Sequence, residues 1–224
     1  MNRAPSEGER DALRGYTWQY DHIASLVYDL LIDRDFVSLR LTDPDAGRVD
    51  NLVLVRHGRT DYYQFKSSKN GRNITFNHVV KDLHKHGDQA TSLAKDLGDC
   101  WSRLRNQRED IHVHLVGETL ASVHDQLGER GSTNKPSPSH FRAFLSEVLE
   151  PLRLGQITLH DVAAGWRPAL ERLREASDIE EEDFEEFLAA LHLDFGAGSG
   201  APKQPSQRRS EPPRDVPIDV KCGL

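Results

Sequence analysis

Three short alternating segments set the terms for this chain. FVSLRLT (36–42), VDNLVLVRHG (49–58) and TDYYQFKSS (60–68) place apolar residues at every second position, and few residues separate one from the next. Period-two alternation marks a strand with one buried face. The turn residues DPDAG at 43–47 and Gly58 lie between them, so the three segments predict an antiparallel meander. Ahead of the meander, YTWQYDHIASLVYDLLIDRD (16–35) spaces Tyr20, Ile23, Ala24, Val27, Leu30 and Leu31 along one face of a helix. A second helical stretch runs from Thr75 to Leu97, weakened in its middle by HKHGDQ and so divisible into two helices. WSRLRNQRE (101–109) is basic and has no clear period, whereas IHVHLVGE (111–118) alternates again and predicts a fourth strand.

The remainder reads as helix over SHFRAFLSEVLEPL (139–152), LHDVAAGWRPALERLREA (159–176) and EEDFEEFLAALHL (181–193). The expected fold is α/β: a core of helix, three-strand meander, helix and strand over 13–120, preceded by a polar leader (1–12). A helical extension follows over 121–195, and the Gly-, Pro- and Ser-rich stretch 196–224 is expected to be a flexible linker or tail. A chain of 224 residues can bury a substantial core, and no apolar run approaches the length of a membrane span. The N-terminus lacks the apolar segment of a secretory signal. Two distant cysteines, Cys100 and Cys222, suggest neither a disulfide framework nor a zinc motif, which fits a cytoplasmic protein. Net charge is -7, but DIEEEDFEE (178–186) holds seven acids, so 36 - 7 = 29 acids face 29 bases elsewhere. A neutral body leaves room for a basic face, and charge alone does not decide on a nucleic-acid partner.

The chemistry is concentrated in the third alternating segment. Tyr62, Gln64 and Lys66 share one face, and Tyr63 and Phe65 the other. Asp50 opens the neighbouring segment, on the face of Leu52 and Leu54 by strict alternation. Adjacent strands lie about 4.8 Å apart, so a carboxylate, an amide oxygen and an ammonium group at the strand ends can converge. Such a set suits phosphodiester hydrolysis, in which a divalent cation neutralises the transition state and activates water. Magnesium takes hard oxygen ligands. Asp50, Gln64 and the backbone carbonyl of Phe65 would supply them, with Lys66 orienting or helping to deprotonate the water.

Asp50, then Gln64, Phe65 and Lys66 on the next strand, within a helix-strand-strand-strand-helix-strand order, resembles the PD-(D/E)XK nuclease superfamily and its restriction-endonuclease-like core. Together with Gly15, Tyr16 and Gln19, and with Val49-Asp50-Asn51, the set resembles the N-terminal endonuclease domains of bacterial antiphage effectors. Those domains are relatives of Mrr-type nucleases joined to SAVED or STAND NTPase modules. The resemblance covers roughly residues 12–120. It implies that Asp50 and Gln64 bind metal, Mg2+ or alternatively Mn2+, that Lys66 is catalytic, and that Gln19 supports the site from the first helix. It also implies a homo-oligomeric endodeoxyribonuclease that cuts double-stranded DNA with little sequence preference and is controlled by a sensor or NTPase module. Gln64 stands where the parent pattern has an acid, and this supports the alternative of a catalytically silent nucleic-acid-binding or assembly module. Lys69, Arg72, Lys81 and Lys85 lie close enough in sequence to grip phosphates. The pairs His84/His86 and His112/His114 read as surface histidines, because zinc would need two further ligands that the sequence does not signal. Asp21 and Asp29 read as solvated helix charges.

Overall fold

The meander forms as the alternation predicts. The structure, a computed structural model, describes residues 6–33, 36–41, 47–49, 51–68, 71–81, 84–86, 89–107, 110–125, 127 and 140–196. Strands β1 (Phe36–Arg40), β2 (Leu52–Arg56) and β3 (Arg59–Lys66) run antiparallel, with Leu52 opposite Tyr63 and Val53 opposite Tyr62. Further along the chain come α2 (Phe76–Val80), a small hairpin of β4 (His84–His86) and β5 (Gln89–Thr91), and α3 (Leu93–Leu104). Strand β6 (Ile111–Gly117) then returns parallel to β3, placing Gln64 beside Leu115 and Lys66 beside Gly117. With β7 (Leu191–Phe195) beside β6, the result is an α/β fold built on a mixed five-stranded sheet in the order β1-β2-β3-β6-β7.

Each face of the sheet has its own apolar layer. Helix α1 (Glu7–Asp33) covers one face, where Ile23 and Leu30 pack with Leu52, Leu54, Tyr63, Phe65 and Val116. On the other face Val53, Tyr62, Val113 and Leu115 join a larger core with Leu97, Trp101 and Leu104 of α3. That core is closed by α4 (Phe141–Phe144), which passes through a π turn (Leu145–Leu149) into α5 (Glu150–Arg153), and by α6 (Arg167–Ser177) and α7 (Phe184–Ala190).

The structure departs from expectation at several places. The expected helix over 159–176 begins only at Arg167, with Pro168 in its first turn, and two 3-10 turns, Leu159–Asp161 and Ala164–Trp166, precede it. Helix α1 starts within the stretch read as a polar leader, because Ser6 and Glu9 form a reciprocal capping box. The middle of the expected long helix is the β4–β5 hairpin, and α3 restarts behind a Ser92 cap whose hydroxyl accepts from the Lys95 N–H at 3.0 Å. The ambiguous WSRLR is the last turn of α3, because Trp101 and Leu104 extend its buried stripe. Finally, Leu191–Phe195 is not the end of a helix but strand β7, parallel to β6 with Leu193 beside Leu115. The helical stripe of Phe184, Phe187, Leu188 and Leu191 hides a second pattern: Leu191, Leu193 and Phe195 alternate with His192 and Asp194. The open edge of β6 favours the strand reading, since pairing there satisfies backbone groups that would otherwise lie unbonded. Residue 196 is described, but the rest of the stretch read as a tail, 197–224, lies outside the described residues. Among the described residues no helix is long and apolar enough to cross a membrane.

Candidate functional site

The C-terminal ends of β3 and β6 meet the N-terminal half of α1. The Glu118 N–H donates to the Lys66 carbonyl at 3.1 Å, and the Glu118 carboxylate accepts from the Ser68 N–H at 3.1 Å. Arg14 of α1 donates to the Ser68 carbonyl at 2.8 Å, and a Cβ on Gly15 would lie 2.6 Å from the Ser67 hydroxyl, so helix and strand end touch here. Asn51 ties β2 to β3 by accepting the Phe65 N–H at 2.8 Å.

Gln64 and Lys66 occupy this end together. Gln64 is 7% exposed. With its amide oriented so that donors meet acceptors, its oxygen faces Lys66 Nζ at 3.2 Å and its nitrogen faces the Arg48 carbonyl. The two residues share a face of β3, as alternation requires, and it is the face of Tyr62 and Val53. Leu52 and Leu54 lie on the opposite face, under α1, together with Tyr63 and the Phe65 ring. Asp50 lies outside the described residues, as does Lys69. Gln19 is half-buried on α1, the helix over the Phe65 face. Arg72 and Lys81 are exposed on either side of α2, and of Lys85 only the β4 backbone is described. Glu118 was not singled out from the sequence; only the β3–β6 pairing reveals a carboxylate at the end of the sheet.

A second polar cluster lies under α1, on the opposite face of the sheet. Asp61 is 0% exposed, accepts from His114 Nε2 at 2.8 Å and Arg59 Nε at 2.8 Å, and lies 3.2 Å from Arg56 Nε. Burial alone would raise its pKa, but the hydrogen bonds and charges of His114 and Arg59 outweigh it and hold the carboxylate well below its ordinary value. His114 is 6% exposed and is stacked between Tyr63 and His192, with ring centroids 4.3 and 4.1 Å away. Burial, reinforced by the negative charge of Asp61, pushes the Tyr63 phenol up. His192 shares a hydrogen bond with His112 at 2.8 Å, and His112 another with Asp110 at 3.0 Å. Burial, and then His114, pushes His192 down to about 3. Burial and Arg59 likewise lower His112, and burial lowers His22 of α1 against the opposing pull of Asp194.

His112 and His114 are therefore not surface histidines. The further ligand groups missing from the sequence pattern stand on β7: one ligand atom each from His114, His192 and Asp194 lies within 4.8 Å of the others, a cluster able to hold a metal ion. The signal for it was the alternation LHLDF beside HVHLV, legible only once 191–195 is read as a strand. Comparison of the chain with protein-family models, with curated proteins and with solved structures gives no match.

Proposed function

We propose that the chain is a metal-dependent endonuclease that hydrolyses phosphodiester bonds of double-stranded DNA, with Lys66 and Gln64 as its reacting end. The observation that carries the reading is this pair, amide oxygen against ammonium at 3.2 Å, at the C-terminal end of a central strand flanked by antiparallel β2 and parallel β6. The order of helix, meander, helix and parallel strand supports a restriction-endonuclease-like core. The donors suit a hard cation: Gln64 offers a neutral oxygen, and the Phe65 carbonyl would add a second for Mg2+ or Mn2+. Asp50 precedes the first residue of β2, Leu52, so the alternation of the strand does not fix its face, and its carboxylate would complete the set. Such an ion, when bound, neutralises phosphate charge and acidifies water. Lys66 then orients the attacking water by hydrogen bonding and offsets the negative charge that grows on the phosphate. Exposed Arg72 and Lys81 would hold the flanking backbone. Cutting both strands calls for two such sites, hence a homo-oligomer. Control by a sensor or NTPase module in a cytoplasmic antiphage system belongs to the same reading.

Supercoiled plasmid incubated with the full chain and Mg2+, then Mn2+, tests it. Nicked and linear products are expected, with Lys66→Ala and Asp50→Ala each lowering the rate by about a hundredfold or more, the scale of losing a transition-state charge contact. Cleavage that survives both substitutions would sink the proposal. The neutral, largely buried Gln64 favours a second reading, a catalytically silent nucleic-acid-binding or assembly module. A mobility shift without nicking selects it, and a parallel assay on RNA separates the substrates.

A further inference from the structure

We propose that His114, His192 and Asp194 form a binding site for a divalent transition-metal ion of the zinc class, on the face of the sheet opposite Gln64 and Lys66. The assignment rests on geometry: one ligand atom each from His114, His192 and Asp194 lies within 4.8 Å of the others. His114 Nε2 is 2.8 Å from Asp61, a carboxylate that can only accept, so Nε2 carries a hydrogen and Nδ1 is the ring nitrogen left to take a ligand. His112 Nε2 is 3.0 Å from the Asp110 carboxylate, and His112 Nδ1 shares a 2.8 Å hydrogen bond with His192 Nε2. Nδ1 of His192 stands outside that hydrogen bond. Two separate chains of hydrogen bonds, Asp61–His114 and Asp110–His112–His192, thus lead to two imidazoles beside one carboxylate.

His114 supplies the independent sign of a ligand. The residue is 6% exposed, its Nδ1 has no hydrogen-bond partner among the described residues, and that atom faces Asp194 Oδ2 at 3.6 Å. The distance is too long for a hydrogen bond. A cation held between that nitrogen and the carboxylate would engage both atoms, across a gap that no direct hydrogen bond closes. The carboxylate behind His114, itself fixed by Arg59 and Arg56, is the arrangement that orients a metal-binding imidazole and raises its basicity.

The donor set selects the ion. Two imidazole nitrogens and one carboxylate oxygen suit zinc and its first-row neighbours, whereas magnesium and calcium prefer oxygen throughout. Nitrogens bound to one tetrahedral ion at about 2.1 Å sit roughly 3.4 Å apart. The three ligand atoms already lie within 4.8 Å of one another, so closure is a side-chain adjustment. It tilts the His114 and His192 rings away from their 17° near-parallel stack so that both lone pairs point at the ion. The Asp194 side chain is 53% exposed, which leaves a path for entry and a fourth position for water. Because the ligands stand on β6 and β7, the ion would also fasten the edge strand to the sheet.

Calorimetric titration of the full, chelator-stripped chain with Zn2+ alone tests the site. The expected result is one zinc per chain with a Kd of about 1 µM or tighter, undisturbed by millimolar Mg2+, the selectivity that nitrogen ligands impose. Co2+ should give the visible absorption of a four-coordinate nitrogen and oxygen site, and Zn2+ should raise the melting temperature by linkage. His114→Ala opens a hole in a buried stack and can unfold the chain, so the deciding variants are the half-exposed Asp194→Asn and the partly buried His192→Asn. Each should weaken zinc binding by about tenfold to a hundredfold or more, the scale of losing a metal contact. Lys66→Ala should bind zinc like the unaltered chain, so failure here is distinguishable from failure of the nuclease reading. Absence of zinc binding at about 100 µM, or binding unchanged in both deciding variants, overturns the site.

Discussion

Asp61 is the residue on which the α1 face of the sheet turns. It is buried, and three side chains, His114, Arg59 and Arg56, converge on it. Removing one partner of such a buried charge leaves the others uncompensated, so Asp61→Asn should cost about 3–5 kcal/mol in denaturant unfolding. The pH dependence has a definite sign. The folded-state pKa of Asp61 lies below its unfolded value, so the stability its charge contributes is complete above the unfolded value of about 4 and is lost as pH falls toward the folded one. The difference between the unaltered chain and Asp61→Asn should therefore shrink as the pH falls below about 4. An equal difference at pH 3 and pH 7 would show that the Asp61 charge is not what stabilises the cluster. In the sequence, Asp61 stands in TDYYQFKS beside the pair that drew attention, with nothing to single it out. Alternation did show that Gln64 and Lys66 share a face; that Asp61, Tyr63 and His114 share the other, and touch, follows from the parallel register of β3 and β6.

Among the elements, α3 and α6 show how local propensity yields to packing. Gly98 lies inside α3, where alanine would ordinarily stabilise a helix by about 1 kcal/mol. Here a Cβ would run into the Ser177 carbonyl at the end of α6, a backbone atom that can yield only if the helix moves. Gly98→Ala should thus destabilise by about 1–3 kcal/mol, and an unchanged or raised melting temperature would mean that the helices separate without cost. Ser92 at the start of α3 acts twice, capping the Lys95 N–H and donating to the Ala176 carbonyl at 3.0 Å. Ser92→Ala should cost about 1–2 kcal/mol, more than the loss of a cap alone. Helix α1, the meander and β6 were legible because each carries an unbroken period. Strand β7 was not, since FEEFLAALHL satisfies the helical period as well, and only the vacant edge of β6 decides between the two.

At the scale of the whole molecule, the sheet separates two kinds of chemistry. One face, toward α3, carries the amide and ammonium proposed for phosphodiester hydrolysis; the other, toward α1, carries the carboxylate and histidine relays. Strands β3 and β6 are paired on both sides and buried by layers on both faces, whereas β1 is an edge strand. Native-state hydrogen exchange should therefore find β3 and β6 amides opening only with global unfolding, and β1 and the β4–β5 hairpin opening sooner. Faster exchange in β3 than in β1 would mean that the sheet comes apart from its centre. By itself the sequence determined the α/β class, the antiparallel meander, the helix ahead of it and the shared face of Gln64 and Lys66, because these depend on periods of two and 3.6 residues within short windows. Tertiary structure alone decided that β7 completes the sheet, that Glu118 reaches the end of β3, and that His114 meets His192 and Asp194 some 80 residues further along the chain. Pairing between distant strands depends on which edge is open and in what register it is filled, and no local period of residues encodes that.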